Sequence, residues 1–350
     1  MHSELVGKAG GGKVRASSYS VKSAVLAHLG GSGKHSHMPQ PVLIAAELKN
    51  LLGPADLADL DITWLSADQP TPKGDYVAIV PLLSRWVGGT EFKNLPALII
   101  VANCAVGYDN VDVVAAELRG VIVTNTPDVL TDATADLTWA LILACARRVI
   151  EGVDVIRSGT WTGWHPQQLL GLELRGKTLG IFGAGRIGQA VGRRALGFGM
   201  KIRYASRTPK PDFERETGAT RLELGPLLHE SDVVTLHTPS TPETKGVINS
   251  DTLARMRAGA ILVNTARGDL VHEEALAIAL EEGRLGAAGL DVYTDEPAIH
   301  PRLRAAPRTV LLPHIGSATR ETRRRMAAIA LANVRAVLAG QPPLTPVYRP

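Results

Sequence analysis

Three polar side chains each follow an apolar run of strand length: Arg267 after ILVNTA, Glu296 after GLDVYTD and His314 after VLLP. In an open α/β sheet, ligands bind beyond the carboxyl ends of the strands, which is where these three fall. Their types suit one reaction. A guanidinium holds a carboxylate by two parallel hydrogen bonds and fixes a 2-oxo acid with its carbonyl carbon facing a hydride donor. A histidine gives a proton to the carbonyl oxygen as the hydride arrives and removes it in the reverse direction. A glutamate paired with that histidine favours the imidazolium and orients the ring. Taken singly, each has a plainer role: a structural histidine, an arginine capping a sheet edge, a glutamate on a solvated loop. Their conjunction points to reduction of a 2-oxo acid to a 2-hydroxy acid.

A hydride donor needs its own cradle, and the stretch TLGIFGAGRIGQAVGRRALGFGM, residues 178–200, has the pattern for one. Leu179, Ile181 and Phe182 supply a strand. Gly183, Gly185 and Gly188 fall in the spacing G-x-G-x-x-G, and Ile187, Val191 and Leu196 continue on one helix face. Gly183 permits a tight turn, Gly185 lets a pyrophosphate approach the amides of a helix N-terminus, and Gly188 lets the helix lie close to the strand. A second strand, Lys201–Ser206, completes a βαβ unit. A carboxylate at its end would bind a ribose 2′-hydroxyl, but Ser206, Arg207 and Thr208 stand there with Lys210 close behind. That group suits a 2′-phosphate, so NADPH is the expected cofactor, with NADH possible as a second.

The rest of the chain supplies the scaffold. At 350 residues and 45% hydrophobic content it holds two domains and reads as soluble and globular. No segment reaches the apolar length of a membrane span. Cys104 and Cys145 lie apart within apolar segments, which fits a reducing, cytoplasmic location and offers no metal site. Lys8, Lys13, Arg15, Lys22 and Lys34 against the single acid Glu4 account for the whole formal net charge of +4. The remainder is neutral, so the charge is no argument for nucleic acid. Residues 1–40 are expected to be a disordered leader. It has some marks of a targeting peptide, but an upstream extension with Met38 as the initiator is the preferred reading.

From Pro41 the chain alternates apolar strands with helical spacings. Strands are expected over 42–46, 61–65, 76–82, 97–103 and 121–125, with helical spacing over 110–118 and a long helix over 133–148. A second α/β unit carries six strand candidates, 179–182, 201–206, 232–237, 260–264, 287–292 and 310–312, as a doubly wound dinucleotide domain requires. A helix over 319–338 closes the chain and is too short to be a domain, so it should pack back on the first unit. The expected fold is therefore α/β in two domains, with a Rossmann-type dinucleotide-binding domain (127–314) inserted in a flavodoxin-like substrate domain (41–126 and 315–350). The two crossing connections would act as a hinge.

Several stretches in order, GAGRIGQA, NTARGDLV, AAGLDVYTDEP and LLPHIGSAT, resemble the D-isomer-specific 2-hydroxyacid dehydrogenases. NTPDVLTDATADL and SGTWTGWHP are most similar to the glyoxylate/hydroxypyruvate reductase branch of that family. The resemblance implies that Arg267 binds carboxylate, Glu296 supports the histidine and His314 donates the proton. It implies that the backbone amides of Val106 and Gly107, in VANCAVGYDNVD, also hold substrate, joined by domain closure. It places Gly185, Arg186 and Ile187 at the pyrophosphate, Arg207 and Thr208 at the adenosine 2′ side, and Pro239, Thr265 and Gly316 along the cofactor, with Asp291 on the nicotinamide carboxamide. The partner it implies is a small 2-oxo acid, glyoxylate reduced to glycolate or hydroxypyruvate to D-glycerate, in a homodimer. Gln168 is the nearest counterpart of a tryptophan that some reductases of this branch pass across the dimer, which leaves the order of those substrates open. Trp161 and Trp164 remain, with packing at the dimer contact as their plain role. Formate dehydrogenases of the superfamily carry an amide where Glu296 stands. Two alternatives stay in view: a 3-phosphoglycerate dehydrogenase, which would want added cations and often a further domain, and a dinucleotide-sensing corepressor-like protein.

Overall fold

Runs such as VLIA and ILVN are apolar at successive positions, and strands of that kind need cover on both faces. The computed structural model describes residues 39–347 and shows these runs in two parallel sheets. The described residues divide into two compact units, one formed by residues 39–125 and 328–347, the other by Thr126–Ala327. In the first, β1 (Gln40–Ala45), β2 (Leu60–Leu65), β3 (Ala78–Val80), β4 (Ile100–Ala102) and β5 (Ile122–Thr124) lie in the order β2-β1-β3-β4-β5. That is the flavodoxin-like arrangement. Interior β1 is buried from Val42 to Ala45, whereas edge β2 alternates and exposes Asp61 and Thr63.

The second unit carries β6 (Thr178–Phe182), β7 (Lys201–Ala205), β8 (Thr220–Arg221), β9 (Val233–Leu236), β10 (Ile261–Asn264), β11 (Ala287–Leu290) and β12 (Thr309–Leu311). Their order is β12-β11-β10-β9-β6-β7-β8, a Rossmann sheet whose direction of growth reverses between β6 and β9. One core holds Trp139, Leu141 and Ile142 of the helix Thr131–Ala146 with Leu179, Ile181 and Val263 of the sheet. Another core holds Leu253, Leu276 and Leu280 with Val234, Leu262 and Leu290. Alternate strand residues thus feed opposite layers, as a doubly wound sheet demands.

Differences from expectation have local causes. β8 is a seventh strand of two exposed residues, too short and polar to leave an apolar signal. The long helix ends at Ala146 because Arg148 turns left-handed at φ 52°, and a further helix, Val149–Arg157, then begins. That helix turns Val149, Ile150, Val153 and Ile156 outward, and Trp161 and Trp164 after it are 54% and 81% exposed in the single chain. The second unit extends past residue 314 because Ile315 and Gly316 are hydrogen-bonded back to Asp291. The leader expected over 1–40 lies outside the described residues except for its last two positions, and Gln40 already belongs to β1.

The closing helix is Arg320–Leu338, and its last turns join the first unit through Asn333 and Arg335. Arg335 forks onto Asp59 at 2.7 and 2.8 Å, which holds that carboxyl below its usual range. Fully buried Asn333 accepts from the N–H groups of Leu344 and Thr345 at 2.8 and 3.0 Å and donates to Thr345 Oγ1 at 2.8 Å. Asn333→Ala strands these groups, so the first unit is expected to lose about 2–3 kcal/mol. A shift of its urea midpoint reads this out, and an unmoved midpoint would contradict it.

Candidate active site

The glycine loop divides its three glycines between packing and openness. Gly183 has φ 100°, and a Cβ there would sit 2.6 Å from the backbone of His237 and Thr238. A Cβ on Gly188 would sit 2.2 Å from the Gly183 carbonyl oxygen. Gly185 differs: it caps the helix Arg186–Ala195, and a Cβ there would meet no protein atom within 4 Å. The open cradle therefore lies over the unpaired amides of a ten-residue helix, where an anion is stabilised. Arg186 is exposed at the mouth, with its Nε 2.5 Å from Asp128, and Ile187 packs inward on the core.

Ser206, Arg207 and Thr208 follow β7 directly. Arg207 and Thr208 are exposed, and Lys210 Nζ donates to Thr208 Oγ1 at 2.9 Å. Arg221, on the unforeseen β8, donates to the carbonyls of Ser206 and Arg207 at 2.9 and 3.2 Å and so fixes this turn. Glu243 lies within electrostatic reach: Thr241 chiefly, its own backbone and Arg207 hold its carboxyl below the usual range. Beyond β10 and β9 respectively, Thr265 Oγ1 is 2.9 Å from Thr138 Oγ1, and exposed Pro239 accepts from Thr244 Oγ1 at 2.8 Å.

Beyond β10, β11 and β12 the three polar residues come together. His314 Nδ1 lies 2.7 Å from Glu296 Oε2, each side chain about one-third exposed. Glu296 Oε1 accepts from the Tyr293 N–H at 3.0 Å. Burial raises the Glu296 carboxyl, but the hydrogen bonds from His314 and Tyr293 and the charges of His314 and Arg267 outweigh it and hold the group below its usual range. Asn264 orders the Arg267 turn, taking the Ala266 N–H at 3.0 Å and giving to the Arg267 carbonyl at 2.7 Å. With Nδ1 committed to the carboxylate, Nε2 is the ring nitrogen left for another partner. His237, also at a strand end, is no rival. Its Nε2 is buried without a partner among the described residues, and burial pushes it down to about 3, so it stays neutral.

Asp291 is nearly fully buried, and its two oxygens accept from the N–H groups of Ile315 and Gly316, each at 2.7 Å. It thereby pins the turn in which His314 takes φ 55°. Burial leaves its carboxyl raised despite those bonds. Val106 and Gly107 belong to the first unit, where Asn125 and Asn103 donate to their carbonyls, each at 2.8 Å. Asn103 and Asn264, both buried, were not among the expected site residues, although each is a polar residue closing an apolar run of the sequence.

Comparison with known proteins places the chain in a family. The family described as D-isomer specific 2-hydroxyacid dehydrogenase, NAD binding domain, matches residues 139–316. Glyoxylate reductases of Thermococcus kodakarensis and Thermococcus onnurineus are 52% and 50% identical over 79% of this chain and 84% of their own. The chain belongs to the D-isomer-specific 2-hydroxyacid dehydrogenases. A solved member of similar fold is an NADPH-dependent glyoxylate/hydroxypyruvate reductase from Sinorhizobium meliloti in complex with NADP and malonate. It is 34% identical with a TM-score of 0.78, covering 89% of this chain and 97% of that one. The open cradle at Gly185 fits the dinucleotide that a 2-hydroxyacid dehydrogenase needs, so the second unit is its nicotinamide-dinucleotide domain. Among the described residues no helix is long and apolar enough to cross a membrane.

The glycines give a paired test. Gly185→Ala is expected to fold normally and weaken dinucleotide binding about tenfold, or ~1.4 kcal/mol. Gly188→Ala is expected to cost about 2 kcal/mol of stability through the backbone clash. Dinucleotide titration and thermal melting distinguish the two, and an unimpaired affinity in Gly185→Ala would contradict the cradle.

Proposed function

We propose that this 2-hydroxyacid dehydrogenase reduces short 2-oxo acids, glyoxylate to glycolate and hydroxypyruvate to D-glycerate, with NADPH preferred over NADH. The observation that carries the reading is the gathering of Arg267, Glu296 and His314 at neighbouring strand ends of the dinucleotide domain. Relatives named glyoxylate reductase at about half identity support the substrate class. Ser206 in place of an acid, with exposed Arg207 beside it, supports a 2′-phosphate. A bound nicotinamide supplies the hydride.

The chain's own residues do the rest. Arg267 holds the substrate carboxylate and so aligns its carbonyl carbon. His314 Nε2 gives the proton that the carbonyl oxygen gains, and Glu296 keeps the ring oriented through Nδ1 and stabilises its charge. Gly185, Arg186 and Ile187 receive the pyrophosphate, Arg207, Thr208 and Lys210 the 2′-phosphate. Pro239 and Thr265 line the remainder, and Asp291 fixes the Ile315–Gly316 turn beside them. The exposed Ile156, Trp161, Trp164 and Leu170 support a homodimer, since apolar surface of this kind suits a second copy.

Initial rates with glyoxylate, hydroxypyruvate and 3-phosphohydroxypyruvate, each with NADPH and NADH, test this. Fast turnover of the first two with NADPH is expected, and His314→Gln is expected to lower kcat about a hundredfold or more. Preference for NADH would overturn the Arg207 assignment, and no turnover with any pair would overturn the activity. The depressed Glu296 carboxyl sets the acid side of the profile. Its charge is present above its folded-state value and lost as pH falls through it, so reduction is expected to hold from neutrality down to about pH 5. A loss of rate already near pH 6 would contradict the pairing.

A further inference from the structure

Glu296 owes its place to a segment with little regular structure of its own. Between β11 and the short helix Pro301–Ala305 the chain makes only an isolated bridge, Asp295 with Ala298. Two backbone N–H groups, one on either side of Glu296, both end on the same carboxylate: Thr294 donates to Glu273 Oε1 at 2.7 Å and His300 to Glu273 Oε2 at 3.1 Å. We propose that Glu273 is the positioning residue that holds Glu296 against His314. This rests on the reductase reading above and deepens it.

A plainer role for an acid at this place is to cap its own helix, Glu273–Glu281. That role is filled by His272, whose Nδ1 accepts from the Ala275 N–H at 3.2 Å. Among the described residues, both hydrogen-bond donors to the Glu273 carboxylate instead lie on the Glu296 segment. The helix behind it is fixed by buried Leu276, Ala277 and Leu280, so the carboxylate is offered from a rigid element. Contacts of two further residues converge on the same segment. Tyr293, next to Thr294, donates from its backbone to Glu296 and from its hydroxyl to the Leu312 carbonyl at 3.0 Å, two residues before His314. Gly268, next to Arg267, lies so close that a Cβ would fall 1.9 Å from the Tyr293 carbonyl carbon. Releasing Thr294 and His300 frees the one segment that the histidine, its carboxylate partner and the arginine turn all bear on.

The test compares the unmodified protein with Glu273→Gln, Glu273→Asp, Glu296→Gln and the Glu273→Gln/Glu296→Gln pair. Glu273→Gln is expected to lower kcat for glyoxylate about tenfold while the KM for the dinucleotide stays within about twofold, because misplacement of the acid–base pair leaves the cradle intact. In the Glu296→Gln background the same change is expected to cost nothing further, a non-additivity that a merely structural role would not produce. Glu273→Asp keeps the charge at the helix start and is expected to recover part of the rate; it also serves if the glutamine variant does not fold. Glu281→Gln, on the surface end of the same helix, is the control for lost charge. Hydrogen exchange at Thr294 and His300 is read in parallel and is expected to quicken in Glu273→Gln. Equal losses in both backgrounds, or unchanged exchange, would overturn the proposal. The exchange readout needs no turnover, so an inactive unmodified protein would overturn the reductase reading alone.

Discussion

The 2.7 Å contact between His314 Nδ1 and Glu296 Oε2 depends on two loops arriving side by side, and parallel strand pairing is what brings them there. β11 and β12 pair in register, Leu290 opposite Leu311, so the segments that follow start level with each other. β10 pairs on the other side of β11, Asn264 opposite Leu290, and brings Arg267 to the same edge. Residues far apart in sequence thus meet because their strands are neighbours. The same sheet carries the glycine turn after β6, which pairs with β9, so cradle and reacting centre share one edge. If that register slipped, the guanidinium, carboxylate and imidazole would separate together.

Burial then assigns the chemistry. His237 and His314 both stand just beyond strands of this sheet, but a buried imidazole without a charged partner stays neutral, whereas His314 keeps a carboxylate at its side and a share of solvent. Carboxylates are sorted likewise. Asp291 is enclosed and spends its oxygens on backbone amides, which makes it a fastener for the His314 turn. Glu296 is one-third exposed and spends one oxygen on the imidazole, which sets a carboxylate beside a titratable ring.

Features governed by local rules were legible in the sequence. Continuous apolar runs announced the buried strands, glycine spacing announced the cradle, and Arg267, Glu296 and His314 stood out as polar residues directly after such runs. Features governed by distant partners were not. Glu273 reads as an ordinary helix-start acid until Thr294 and His300 are seen to fold onto it. Arg221 lies on a strand of two polar residues that exists because β7 offers it an edge. The helix Val149–Arg157 was hidden for the opposite reason: its apolar face points away from the unit's core.

The most direct test of the central claim is to follow the transferred hydrogen. Glyoxylate is reduced by the protein with NADPH carrying deuterium at the transferring position of the ring, and the glycolate is analysed by mass spectrometry. One carbon-bound deuterium per dinucleotide oxidised is the result expected for direct delivery to a carbonyl aligned by Arg267 and protonated by His314. Glycolate without carbon-bound label, or no glycolate from protein that binds the dinucleotide, would contradict it.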